Sequence, residues 1–279
     1  GALGLALMGG SGASAAETPQ FSDEHITLTV PYDGTTYRVD IQLVMQDGPD
    51  RDADFARARD EMVARFPGAE LVEDVHEEQT SGVDVSGYVL TGYSWQAKTT
   101  SWRYNAAGKP GSLSGDEPAI EASATTWGRV GANFAFSYLG PNAANTAACG
   151  GAASGLDGTN TVGWAPQSSN VLAVTCTWSN TTTHNAIEFD MQIDPDWNWT
   201  TGNSGIVIDL QSVVTHEFGH ALGLGHSADS NAIMYASYST GQNKREPRPD
   251  DVAVIKAIYG AGAVTPTATP SPSPTATST

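Results

Sequence analysis

Residues 216–227 read HEFGHALGLGHS, and this stretch holds three of the six histidines in a chain of 279 residues. On a helix, His216 and His220 lie one turn apart on the same face, so both rings can reach one metal ion. Glu217 points about 100° further round the helix axis, close to such an ion but not in an obvious ligand position. The spacing therefore predicts a helix that presents two metal ligands and one acid.

A third ligand has to come from beyond this helix. Gly223 can adopt the left-handed conformation that turns the chain sharply, and the turn would bring His226 back to the same ion. Three neutral imidazoles suit Zn²⁺ and leave one tetrahedral position for water, with Glu217 as the natural general base. We therefore predict one catalytic zinc, with His216, His220 and His226 as its ligands.

Two other interpretations of the histidines stay open at this stage. A structural zinc site would close its shell with a fourth ligand, and the sequence leaves Cys176 available for that role. Alternatively, the histidines are satisfied by ordinary contacts in a core. Neither interpretation requires an acid directly after the first ligand, and for this reason we favour the catalytic site.

The pattern His216-Glu217-x-x-His220-x-x-Gly223-x-x-His226 resembles the extended zinc signature of metzincin endopeptidases. The resemblance covers residues 95–260 and is most specific over 205–260. It implies an α+β fold of the α/β sandwich type, with a twisted, mostly parallel β-sheet, an active-site helix and a C-terminal helix. It also implies hydrolysis of peptide bonds in protein or peptide substrates.

Further residues are similar to the matrixin branch of that family. Met234 fits the family's Met-turn, an apolar floor beneath the ligands, and Ser227 follows the third ligand as in matrixins. The resemblance implies that Asp250 and Asp251, at the start of the last helix, anchor the structure. The resemblance also implies that Tyr238 lines the substrate pocket.

The chain departs from matrixins at the second, structural zinc site that they commonly carry. The corresponding strands offer Ala173, Thr175 and Glu188. These residues do not match the expected histidines, so we expect no structural zinc.

Calcium is a second candidate cofactor, implied by the resemblance alone. The family's calcium sites use acids near Asp157 and in the segment that holds Asp190 and Asp194. The alternative is that these acids are simply solvated in loops.

Residues 17–94 form a small, acidic unit that we interpret as a candidate propeptide. Alternating residues around Asp33-Gly34 predict a β-hairpin, and apolar residues at helical spacing between 52 and 66 predict a helix. Vertebrate matrixins block the zinc with a prodomain cysteine, but no cysteine precedes Cys149. An aspartate such as Asp84 is a candidate to occupy the open coordination position of the zinc in place of that cysteine. The alternative is an accessory domain without an inhibitory role.

The segments at both ends of the sequence predict export. Residues 1–16 resemble the remnant of a signal peptide, or else a flexible Gly/Ala linker. Residues 263–279 contain only Pro, Ser, Thr, Ala and Val, typical of a linker or stalk that could tether the protein to a surface.

Between these ends, residues 95–262 make up the predicted catalytic domain. In an exported protein, Cys149 and Cys176 are expected to pair, the alternative being two separate buried thiols.

The composition of the chain argues against two classes of partner, and one alternative function stays open. The net charge of −18 argues against nucleic acid and anionic membranes as partners. After the first fifteen residues, no apolar run is long enough for a transmembrane helix, and we expect a monomer. The alternative function is a non-catalytic binding module on a protease scaffold. The stalk motivates it, but a pure binder has no need of Glu217.

Overall fold

The computed structural model describes residues 18–76, 88–143, 149–150, 156–168, 170–202 and 207–262. The helices are α1 (Arg51–Ala64), α2 (Asp116–Arg129), α3 (Leu210–Ala221) and α4 (Pro249–Tyr259). The strands are β1 (Gln20–Tyr32), β2 (Thr35–Gln46), β3 (Glu70–His76), β4 (Tyr88–Leu90), β5 (Thr99–Asn105), β6 (Ala135–Pro141), β7 (Asn160–Trp164), β8 (Val171–Asn180), β9 (Ala186–Ile193), β10 (Trp199–Thr200), β11 (Ile208–Asp209), β12 (Leu224–Ser227) and β13 (Ser237–Ser239).

One mixed sheet organises the described residues. Its strand order is β13-β1-β2-β8-β9-β7-β5-β6, with β3 paired to β1 outside this path. Within the predicted catalytic region, β6-β5-β7-β9 are parallel neighbours and β8 runs antiparallel to β9. The α+β fold with a mostly parallel sheet in this region is therefore confirmed. No described helix is both long enough and apolar enough to cross a bilayer.

The zinc helix α3 is fixed to the sheet by aromatic packing. The Phe218 ring lies 5.2 Å from the Trp102 ring and 4.9 Å from the Phe136 ring, measured between centroids. On its other side, α2 donates a hydrogen bond from the Trp127 indole to the Thr215 carbonyl, at 2.8 Å. Because interiors are close-packed, these contacts leave the two helical histidines little positional freedom.

The N-terminal unit has the predicted hairpin and helix, but it shares the sheet of the catalytic region. Asp33 and Gly34 both have positive φ, 46° and 75°, which is the turn geometry that a short hairpin requires. Strand β1 pairs with β13 and β2 pairs with β8, both antiparallel. The unit therefore lies between two parts of the catalytic region instead of forming a separate body.

Strand β8 is buried on both faces, and its residues alternate between two cores. Val174, Cys176 and Trp178 face a cluster that the N-terminal unit completes, while Ala173 belongs to the core around α3. The first cluster also contains these N-terminal side chains: Ile26, Leu28, Val30, Val39, Ile41, Leu43, Met45, Phe55, Ala58, Met62 and Phe66.

The predicted disulfide joins Cys149 to Cys176, with 5.5 Å between the two Cα atoms. Both residues are buried, and Cys176 lies on the β8 face that points away from α3. The interpretation of Cys176 as a fourth zinc ligand is therefore wrong, because its sulfur is bonded covalently on the opposite face of the sheet.

Removing the disulfide in the double variant Cys149→Ala/Cys176→Ala is expected to lower the free energy of unfolding by about 3–4 kcal/mol, because the unfolded chain gains loop entropy. Urea denaturation followed by tryptophan fluorescence measures this difference. Reduction of the unmodified protein serves as the matched control and should shift the midpoint similarly. An unchanged midpoint in the double variant would contradict the expectation.

Candidate metal centre

Helix α3 carries His216 and His220, and hydrogen bonds to the backbone fix which ring nitrogen of each is available to bind a metal. His216 Nδ1 donates to the Ile233 carbonyl at 2.7 Å, and His220 Nδ1 donates to the Leu224 carbonyl at 2.9 Å. A carbonyl can only accept, so these bonds place the ring proton on Nδ1 and leave the Nε2 lone pair free. Burial lowers the pKa of His220 to about 4, which keeps this ring neutral at pH 7.

The turn after α3 brings His226 to the same point. Gly223 has a φ of 90°, and a Cβ on it would lie 2.2 Å from the Tyr93 carbonyl oxygen, so only glycine fits. Strand β12 then carries His226 back, with its ring centroid 5.5 Å from that of His216 and 4.9 Å from that of His220. The structure thus brings together the three histidines that the sequence predicted.

A carboxylate from the N-terminal unit completes the cluster. Asp23 Oδ2 lies 3.2 Å from His220 Nε2, 2.6 Å from His226 Nε2 and within hydrogen-bonding distance of His216 Nε2. The Asp23 side chain is 2 % exposed. Burial raises its pKa, but the charge of His216 in its protonated form, together with the hydrogen bonds that protonated rings of the cluster donate, outweighs burial and holds the pKa well below its usual range.

Asp23 is a residue that sequence reasoning missed. The predicted candidate, Asp84, lies outside the described residues. Asp23 stands 193 positions before His216, so no local spacing connects the two. The one available signal was a carboxylate at an alternating position of a predicted strand in the acidic unit.

The donor set fits a zinc ion. The ligand atoms of Asp23 and the three histidines all lie within 4.8 Å of one another, and His216 Nε2 is 2.9 Å from His220 Nε2. With their protons on Nδ1, these two Nε2 atoms present lone pairs to each other, an arrangement that a cation between them relieves. Three imidazoles and one carboxylate are ligands that tetrahedral zinc accepts.

Glu217 lies beside the cluster without belonging to it. It is fully buried, and its Oε2 accepts a hydrogen bond from the Thr175 hydroxyl on β8. Its Oε1 has no hydrogen-bond partner among the described residues. Burial and the negative charge of Asp23 raise the pKa of Glu217 well above its usual value. The role of Thr175 was not predicted, because only the fold brings β8 over the helix.

Met234 packs beneath the helical ligands as the predicted Met-turn places it. A Cβ on Gly219 would lie 2.2 Å from Met234 Sδ and 3.0 Å from Trp127 Cζ2, so the thioether sits directly against the helix between the two histidines. Asp251 accepts hydrogen bonds from the backbone N–H groups of Ile233, at 3.0 Å, and Met234, at 3.1 Å.

Asp250, the second predicted anchor, contacts the segment that carries His226. The Asp250 carboxylate accepts a hydrogen bond from the Ser227 hydroxyl, directly after His226. The start of α4 therefore contacts both the Met-turn, through Asp251, and the end of β12, through Asp250.

A pocket opens beside His216, between α3 and the chain that leads into β13. Its wall includes Tyr238, whose hydroxyl accepts from the Asp209 N–H and donates to the Gln242 carbonyl, both at 3.0 Å. Phe21 of β1 also lines the pocket, with its ring centroid 6.2 Å from that of Tyr238. The N-terminal unit therefore reaches both the metal cluster and the neighbouring pocket.

The three acids proposed for calcium do not form a cluster. Each carboxylate accepts a backbone hydrogen bond nearby: Asp157 from Thr159, Asp190 from Thr161, and Asp194 from Gln167 and Asp196. Within the part of the chain that the structure describes, the one group of three or more potential metal ligands is that of Asp23 and the histidines. Calcium stays a prediction without support from this geometry.

The family model described as Matrixin matches residues 167–260. The chain is 42 % identical to human Matrilysin over 72 residues, 25 % of this chain and 27 % of Matrilysin. It is 48 % identical over 59 residues to Metalloendoproteinase 1-MMP of Arabidopsis thaliana (21 % and 16 %), and 42 % identical over 72 residues to human Neutrophil collagenase (25 % and 15 %). The matches thus span about a quarter of these relatives' length or less.

Substituting Gly219→Ala is expected to lower the free energy of unfolding by about 1–3 kcal/mol, because the new methyl group overlaps Met234 and Trp127. Metal content should fall with it, since the helix must shift between its two histidines. Thermal unfolding and metal analysis measure both effects. Gly111→Ala is the matched control, because no atom lies within 4 Å of the added Cβ there. Equal behaviour of the two variants would show that Met234 does not pack as described.

Proposed function

We propose that this protein, whose residues 167–260 are a matrixin-like metzincin region, is a secreted zinc metalloendopeptidase made as a latent precursor. The observation that carries the proposal is the convergence of the Nε2 atoms of His216, His220 and His226 beside Glu217. The carboxylate of Glu217 is buried, and its Oε1 has no hydrogen-bond partner among the described residues. A site built only to hold a metal has no use for Glu217. The disulfide supports export, since such bonds persist in oxidising compartments.

The roles of the residues follow from their positions. His216, His220 and His226 would hold the zinc. When bound, zinc supplies a Lewis acid that polarises a peptide carbonyl and lowers the pKa of a water molecule to about 7. Glu217 would act as the general base: its Oε1, which has no partner among the described residues, would take up a proton from the attacking water and release it to the nitrogen of the leaving amine. The Thr175 hydroxyl fixes the other oxygen and thereby the orientation of the carboxylate.

Strand β8 is the natural place for an extended substrate. In this structure its edge is occupied by β2, which pairs with it from Tyr37 opposite Asn180 to Met45 opposite Val171. Once β2 has left, the same backbone groups are free to pair with a peptide by strand addition. The Tyr238 pocket would then receive a side chain that follows the cut bond.

Latency rests on Asp23. Its carboxylate lies against the Nε2 atoms of the three histidines, where hydrolysis would need a water molecule. Two residues earlier on the same face of β1, Phe21 lines the substrate pocket. One strand of the N-terminal unit thus contacts both the histidine cluster and the pocket, which supports the proposal that 18–76 belongs to an inhibitory propeptide.

The catalytic domain begins earlier than residue 95. Strand β4 pairs with β12, and the Tyr93 hydroxyl donates to the His220 carbonyl at 2.8 Å. The Trp95 indole donates to the Ala221 carbonyl at 2.7 Å. These contacts hold the turn between the second and third histidines, so we place the boundary of the two regions before Tyr88.

Substituting Glu217→Gln should lower peptide hydrolysis at least about 100-fold, because the proton acceptor is lost, while zinc content stays unchanged. Activity is measured on a quenched fluorescent peptide library after limited proteolysis has removed the N-terminal unit. Glu121→Gln, an exposed position of α2, is the control. Undiminished activity in Glu217→Gln would refute the mechanism. No hydrolysis by the zinc-loaded unmodified sequence, measured after removal of residues 18–76, would favour a binding module.

Substituting Asp23→Ala should give the metal a water molecule in place of the carboxylate. We expect a changed visible absorption spectrum of the Co²⁺-loaded protein and at least about tenfold faster self-processing of the full chain, since the ligand that holds β1 on the metal is gone. Asp33→Asn, in the exposed hairpin turn, is the control. Identical Co²⁺ spectra for Asp23→Ala and the unmodified protein would rule out Asp23 as the ligand.

A further inference from the structure

We propose that residues 18–76 stay bound to the catalytic region as a separate, non-covalent inhibitory subunit after the chain is cut between 76 and 88. Cutting alone then does not activate the protein, and activity appears only when 18–76 is degraded or displaced. The inhibitory part of this inference rests on the proposed function. The binding part does not, because it follows from the packing alone.

The first support is the position of the N-terminal unit in the sheet. Strands β1 and β2 lie between β13 and β8, so they have catalytic-region strands on both sides. The β2–β8 ladder runs over the length of β8, and β1 adds pairs with β13 from Gln20 to Ser22. Loss of the unit would split the sheet and expose two strand edges, which is unfavourable in water unless another strand replaces it.

The second support is the shared apolar core. On the catalytic side, the core consists of Val171, Val174, Cys149, Cys176 and Trp178, each at most 1 % exposed. Loss of the unit would expose this face of β8 to water, including the Trp178 ring. That exposure opposes dissociation, because the transfer of buried apolar side chains into water is unfavourable.

The Trp178 ring also connects the core to the N-terminal helix. The Phe66 ring, just after α1, lies 5.6 Å from the Trp178 ring between centroids. Phe66 is itself 1 % exposed, so this contact is part of the packed interior and not a surface touch.

The third support is a set of polar contacts on the rim of the same interface. The Arg65 guanidinium donates to the Cys149 carbonyl and to the Gln167 side chain, both at 3.4 Å, and to the Gln192 side chain at 3.3 Å. The Asn170 amide donates to the Asp54 carboxylate at 2.5 Å. None of these residues lies between 77 and 87, so a cut in that segment does not interrupt the contacts described here between residues 18–76 and the rest of the chain.

The two sides of the cut are also anchored independently. On the C-terminal side of the cut, β4 pairs with β12, and the Tyr93 hydroxyl donates to the His220 carbonyl at the end of α3. Before the cut, β3 pairs with β1 within the N-terminal unit. The cut therefore removes only the effective concentration that the linkage supplied, and retention depends on the interface itself.

The test uses the zinc-loaded full chain with Glu217→Gln, to prevent self-digestion, and a recognition sequence for a site-specific endopeptidase placed within 77–87. After cutting, size-exclusion chromatography at about 1 µM and native mass spectrometry determine whether the fragments stay together. We expect one 1:1 complex. Separation of the fragments in native buffer would overturn the proposal.

A parallel measurement on the chain with intact Glu217 tests inhibition. The cut complex should hydrolyse the peptide library within about twofold of the uncut chain, and digestion of 18–76 by a second protease should then release activity. Full activity of the still-associated complex would overturn the inhibitory part. A lack of activity in all three forms would refute the proposed function, while co-elution still decides the binding part.

Matched variants show whether the shared core holds the fragment. Phe66→Ala should raise the dissociation rate of the cut complex at least about tenfold, because it removes a ring packed in the interface. Val72→Ala, in the same unit but 57 % exposed, should change it less than about twofold. Phe66→Leu covers the case in which Phe66→Ala does not fold, with a smaller increase expected. Equal rates for Phe66 and Val72 variants would overturn the assignment of the interface.

Discussion

Three imidazole lone pairs that meet at one buried point are the constraint on which the rest of this structure depends. His216 and His220 satisfy it through helical spacing, with each Nδ1 proton committed to a backbone carbonyl. His226 satisfies it only because Gly223 turns the chain where a side chain would collide with the Tyr93 carbonyl. Without a cation among them, such converging lone pairs repel, so the site is costly unless a cation or a proton occupies it.

Several elements serve mainly to keep that point fixed. Aromatic rings of the sheet hold Phe218 on one side of α3, and Met234 fills the space against Gly219 on another. Asp251 ties the Met-turn to α4 through two backbone N–H groups. The core is thus organised around the helix that carries the ligands, which is how a preorganised site keeps its geometry without a bound substrate.

The N-terminal unit answers two further demands of the same architecture. Strand β8 pairs with β2 along one edge, and the apolar face of β8 that points away from α3 packs against the core that contains Phe55, Ala58 and Met62 of α1. Asp23 places its carboxylate beside the Nε2 atoms of the three histidines. One segment therefore both pairs with the edge of β8 and places a carboxylate at the histidine cluster, so under the proposed function latency and stability would be coupled.

The sequence alone predicted the three histidines that converge, the acid beside them and the turn at Gly223, because helical spacing and glycine conformation are local properties; the mostly parallel sheet followed from the resemblance to metzincins. It also determined the pairing of the only two cysteines. Tertiary structure alone decided that Asp23 reaches the histidines, that Thr175 orients Glu217, and that the N-terminal strands enter the catalytic sheet. Each of these contacts joins residues far apart in the chain, and their distances depend on strand register and on which face of β8 meets which core. No local pattern of residues encodes that register, so only the folded chain reveals it.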